Sequence, residues 1–233
     1  MTKPYLNPEP VPPASQLSVL PFAAAVDGLL REELNIPSLR ITVHRAISRQ
    51  GEGYLQQVCA YVQGEKADPR GVGRVFPVDE GIIGAAFGDR RIWRTKAYKT
   101  NPEFQIDLRE SMPASGDKRA PSEVAWSYLA VPFLGPQDQV VLILYADCNE
   151  LNFFADDDRV RRVVAMCRGF CRLFDWLEKN DPFPNLRNFP LQKGEPITGS
   201  DRTVYTKIQE AIDFIETPRF NEVPSFNYEA SAA

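Results

Sequence analysis

Histidine is almost missing from this chain: His44 is the only one in 233 residues. That scarcity excludes zinc sites of the Cys/His kind and leaves no Ser/His/Asp or Cys/His constellation for a hydrolase. A basic excess is missing too. Lys and Arg number 27 against 31 acids, a formal net charge of −4, whereas broad affinity for nucleic acid or anionic membranes needs cations that displace counterions. Long apolar runs are absent, the longest being residues 140–146, while a membrane helix needs about 20. The apolar start at residues 20–26 follows a Pro-rich leader with Lys3 as its one basic residue, unlike a secretory signal. Cysteines are few: Cys59, Cys148, Cys167 and Cys171. They lie mostly in apolar stretches, as buried thiols do, so the expected compartment is the reducing cytoplasm.

What remains is a foldable composition, with 43% hydrophobic and 25% charged residues. Pro4, Pro8, Pro10, Pro12 and Pro13 predict an extended, disordered leader over residues 1–17. A helix is predicted at 18–35, with Phe22, Val26, Leu29 and Leu30 on one face. Residues 39–48 alternate apolar and polar side chains and pair as a hairpin with 54–62, which places His44 toward solvent. A strand at 74–78 precedes a short helix at 80–87, in which Gly81 and Gly84 allow close approach. A further extended piece is predicted at 91–95. The polar stretch 96–123 reads as a long loop. Strands follow at 126–134 and 139–148, the second apolar on both faces and therefore central to a covered sheet. A strongly amphipathic helix spans 156–179, opened by Asp156, Asp157 and Asp158, which suit a helix N-terminus better than a metal. Residues 181–216 read as a Pro-rich linker with a late helix from about 201 to 216, and 217–233 as a disordered tail.

This order predicts an α+β domain around an antiparallel sheet at 18–180. Three motifs resemble the GAF family: Gly81-Ile82-Ile83-Gly84-Ala85, Ser127-Tyr128-Leu129-Ala130-Val131-Pro132-Phe133, and the strand ending at Asp147 followed by Phe154 and Asp158. The resemblance implies N- and C-terminal helices packed on one face of the sheet and a short helix plus long loop on the other. It also implies a small-molecule site between the sheet and the short helix, walled by Phe76, Trp93, Arg94, Trp126, Tyr128 and Asp147. Arg90, Arg91, Arg94, Lys96 and Lys99 form a basic cluster of the kind that holds an anionic ligand. Departures bear on the ligand. Asn149 is followed by Glu150 where cyclic-nucleotide-binding members carry Asn-Lys, and the later loop lacks the cysteine-histidine pair that attaches a bilin.

The function implied is sensing or regulation of a GAF-like kind, with unknown ligand and no cofactor assigned. The signal would pass through a partner protein or a homodimer built on the 18–35 and 156–179 helices, with exposed Leu30, Leu173 and Trp176 as its mark. The alternatives are a scaffold subunit without ligand and a thiol-dependent methionine-sulfoxide-reductase-like enzyme, for which Cys148 is the candidate nucleophile.

Overall fold

The computed structural model describes residues 10–32, 36–49, 52–63, 66–68, 71–79, 81–111, 125–179, 205–207 and 217–221. Helix α1 (Pro13–Arg31) begins five residues earlier than the periodicity predicts, because Pro13 sits in the first turn, where a missing N–H costs nothing. Pro21 lies inside the helix on its exposed side. The opposite face buries Val19, Ala23, Val26 and Leu30. At its end Arg31 bonds Asp27 (3.0 and 2.9 Å), the Leu39 carbonyl (2.8 Å) and the Ile36 carbonyl, tying the helix to the start of the sheet.

Strand β1 (Arg40–Arg49) is hydrogen-bonded along both edges. On one side it pairs with β2 (Glu52–Gln57) and then with β3 (Tyr61–Gln63), on the other with β8 (Val140–Cys148). Beyond β3 lies β4 (Lys66–Asp68), and beyond β2 lies β5 (Val75–Pro77). On the far side β8 is followed by β7 (Ser127–Leu134), β6 (Trp93–Thr95) and β9 (Tyr205–Lys207), so the main path runs β4-β3-β1-β8-β7-β6-β9. All these pairings are antiparallel. β8 is central, as its two-faced apolar pattern predicts.

Two packing layers follow from strand alternation. Leu129, Val131 and Phe133 join Leu142, Leu144 and Ala146 beneath α1 and α4 (Asp157–Lys179). The intervening Tyr128, Ala130 and Ile143 face the other way, under α2 (Gly81–Asp89) and α3 (Asn101–Ser111). α4 buries Val160, Val163, Val164, Cys167, Phe170, Cys171 and Phe174, the predicted stripe. Its N-cap, Asp156, accepts the Arg159 amide at 3.0 Å, and that bond holds the carboxyl below its ordinary range. α2 presses close to the preceding turn, since a side chain at Gly84 would stand 2.8 Å from the Val78 carbonyl oxygen.

Three expectations are corrected. The 96–123 stretch contains α3, which the polar sequence hides because only Phe104 and Leu108 are buried. Within the predicted 201–216 helix, residues 205–207 form β9, drawn into an extended state by the free edge of β6. The remainder of that helix lies outside the described residues. The predicted tail returns to the core: Leu134 and Phe220 exchange backbone contacts across β7 (2.7 Å), and Phe220 is 0% exposed. Residues 1–9, most of the expected leader, lie outside the described set.

Candidate functional site

The site face is the side of the sheet opposite α1 and α4. Tyr128 and Asp147 are direct partners across β7 and β8, so they share this face. Trp93 lies buried in the same layer and Trp126 packs half-buried against it. Phe76, on β5, sets its ring 5.5 Å from that of His44. These five of the six predicted residues are thus on one side. Arg94 is not with them. It follows Trp93 on β6 and therefore points the opposite way, where its Nη1 donates to the carbonyls of Phe154 (3.1 Å) and Ala155 (3.0 Å) and its Nη2 meets Asp157 at 2.7 Å.

The basic cluster does not converge either. Lys96 pairs with Asp107 at 2.8 Å, and Tyr98 donates to the same carboxylate at 2.9 Å, which together hold it below its ordinary range. Arg91 and Lys99 are exposed.

Residues not singled out for this site complete it. Arg40 grips Asp147 with two bonds of 2.8 Å, and the Tyr145 hydroxyl donates to the same carboxylate at 2.7 Å. The Asp147 bond raises the Arg40 guanidinium further, while burial and then Asp147 push the Tyr145 phenol well up. His44, expected to face solvent, is only 2% exposed. The reason is tertiary: the polar side of β1 lies under Phe76 and Tyr145, whose rings stand 5.5 and 6.0 Å from the imidazole. Its cross-strand partner Gln57 is 0% exposed. Gln57 donates to the Cys59 carbonyl at 2.9 Å, yet its Oε1 has no protein partner, nor has His44 Nδ1. Trp126 Nε1 is likewise unmatched. The alternation of β1 and β2 carries the signal for the His44–Gln57 pair, but only the second layer reveals that both are buried.

Burial lowers His44 to about 3, from 6.5. Between those values the unfolded chain takes up a proton that the folded chain refuses, so stability falls as pH falls. One such proton contributes about 1.4 kcal/mol per pH unit. Urea unfolding from pH 6.5 down to 4 should therefore show a steeper loss in the native chain than in His44→Phe. Equal slopes would refute the buried neutral imidazole.

The four cysteines are free and buried. Burial pushes the Cys148 thiol up to about 12, and raises Cys59, Cys167 and Cys171 as well. At neutral pH Cys148 is a protonated thiol donating toward the Glu150 carbonyl at 3.8 Å, a poor nucleophile. Among the described residues no group of three or more His, Cys, Asp or Glu is placed to hold a metal, and no helix is long and apolar enough to cross a membrane.

Fold and site together define a GAF-like α+β domain: an antiparallel sheet, terminal helices on one face, and a polar-aromatic patch beneath a short helix on the other. No protein-family model and no curated protein matches the chain. Among solved structures it is similar to an IcIR transcriptional regulator from Alicyclobacillus acidocaldarius (15% identity, TM-score 0.33, 67% of this chain and 68% of that one). It is also similar to a structure described as the GAF domain (10% identity, TM-score 0.36, 65% and 86%). A third is fRMsr of Staphylococcus aureus in complex with substrate (17% identity, TM-score 0.36, 71% and 99%). At such scores these likenesses add nothing on function, and the architecture rests on the strand order and layers described above.

Proposed function

We propose that the chain is a small-molecule-sensing regulatory domain of the GAF kind, acting through a homodimer or a partner protein. The observation that carries this reading is the set of buried polar atoms without protein partners on one aromatic-lined face: His44 Nδ1, Gln57 Oε1 and Trp126 Nε1. Buried polar groups in folded proteins are nearly always matched by protein, water or ligand. A polar-aromatic face of this kind suits a small molecule oriented by a few polar contacts. Phe76, Trp93, Trp126, Tyr128 and Asp147 form its walls in this reading, and Arg94 supports the structure from behind.

Denaturing extraction of freshly purified protein, followed by mass spectrometry, tests it. A stoichiometric small molecule, lost on Tyr128→Ala, is the expected outcome. An empty extract, from protein that also shows no thermal shift with a metabolite library, would sink the proposal.

One observation favours a second reading, the interaction subunit. Leu173 and Trp176 on α4 are 52% and 60% exposed, and Leu17 on α1 is exposed as well, although Leu30 is buried. Apolar side chains left open on adjoining terminal helices suit a helical dimer face. Light scattering of the native chain and Leu173→Glu separates the cases: a dimer that the substitution dissociates favours this face, and a monomer disfavours it.

A further inference from the structure

We infer that the ligand of this face is an uncharged planar compound, a primary amide or amino-substituted heterocycle, held by the His44–Gln57 pair rather than through a phosphate or carboxylate. The inference rests on the ligand-binding reading above and concerns the chemistry of the same site.

Position comes first. His44 and Gln57 are directly paired across β1 and β2 and lie on one face, with side chains about 5 Å apart at their roots. Each carries one buried atom unmatched by protein. Gln57 already spends its amide nitrogen on the Cys59 carbonyl, so what it still offers is an acceptor. Gly71 leaves room beside that acceptor, because a side-chain carbon at Gly71 would stand 2.9 Å from Gln57 Oε1. A donor such as an amide or amino N–H is the complement of this oxygen. The walls nearest the pair, Phe76 and Tyr145, present ring surfaces to a flat molecule.

Charge decides against an anion. The cation on this face, Arg40, has its fork taken by Asp147 in two 2.8 Å bonds. The Tyr145 hydroxyl is turned to the same carboxylate. Burial keeps His44 neutral. An incoming phosphate or carboxylate would lose its hydration, meet no uncommitted cation here and face Asp147, a combination that burial makes costly. An uncharged ligand escapes that penalty and satisfies the two unmatched atoms.

Nicotinamide and nicotinate make the test sharp, since they differ in little but amide against carboxylate. Equilibrium dialysis of each against the full chain should show nicotinamide binding at least about tenfold tighter, the size expected when a buried charge replaces a matched donor. Gln57→Leu and His44→Leu should each abolish that preference. Both remove an unmatched polar atom, so both should remain folded by circular dichroism, and either one suffices. Equal or tighter binding of nicotinate overturns the inference, as does nicotinamide binding indifferent to both substitutions. A charged metabolite recovered in the extract overturns it while leaving the ligand-binding reading intact. No binding of either probe at millimolar concentration, with an empty extract, overturns both and assigns the unmatched atoms to water.

Discussion

Phe220→Ala is expected to destabilise the chain by about 3–5 kcal/mol, the cost of deleting a buried aromatic side chain from a packed core. Phe220 is fully buried, stacked on Phe133 with ring centroids 5.9 Å apart and set edge-on to Phe170 at 6.2 Å. The backbone around it adds to the anchorage. The Leu134 amide donates to Pro218 at 3.0 Å, and Asn221 bonds both carboxylate oxygens of Asp175 (2.7 and 2.8 Å). Truncation of the chain before Thr217 should cost at least as much as the single substitution. Chemical denaturation monitored by tryptophan fluorescence measures both. A loss under about 1 kcal/mol, typical of surface positions, would mean that the segment is not docked as described.

Arg94→Met should cost about 2–4 kcal/mol, because it strips the donors from two carbonyls at once and leaves Asp157 without its cation. The loss should fall on the junction between the 3-10 turn Phe153–Ala155 and α4, where Arg94 bonds Phe154, Ala155 and Asp157. Hydrogen exchange would show faster opening of the first turns of α4, with β1 and β2 little affected. Arg94→Lys should recover only part of the loss, since a single ammonium cannot reproduce the planar fork that reaches both carbonyls and the carboxylate. A variant that stays as stable as the native chain yet loses a bound ligand would instead restore Arg94 to the ligand-binding role first expected of it.

These two residues mark where local pattern stops being informative. β1, β2, β7, β8 and α4 were legible because each carries its own periodicity, two in the strands and about 3.6 in the helix. The site face was partly legible for the same reason: Tyr128 and Asp147 sit at strand positions whose side is fixed by alternation. Arg94 was misjudged because the GAF resemblance and the basic neighbours outweighed the alternation with Trp93, which alone puts them on opposite faces. His44 was misplaced because its strand looks half-exposed, and only the packing of Phe76 and Tyr145 closes its other side. β9 and Phe220 were lost entirely. A three-residue strand has no period of its own, and it exists through pairing with β6, far away in sequence. α3 is short and mostly polar, with Pro102 near its start, so it resembles the loop it interrupts.

The aromatic cluster under the helical face joins distant parts of the chain. Phe22 from α1 lies 4.4 Å from Phe170 and 5.9 Å from Phe133, and Phe220 closes the group from near the end of the chain. During synthesis Phe22 leaves the ribosome early and Phe220 late. The apolar undersides of α1 and α4 therefore stay open until almost the whole chain has emerged, and the last contacts span nearly its full length. Such long-range closure slows folding and lengthens the interval in which unfinished cores associate with one another. Chaperone dependence at low stability, and sensitivity to premature termination upstream of Phe220, are the cellular price of a core that is locked from its far end.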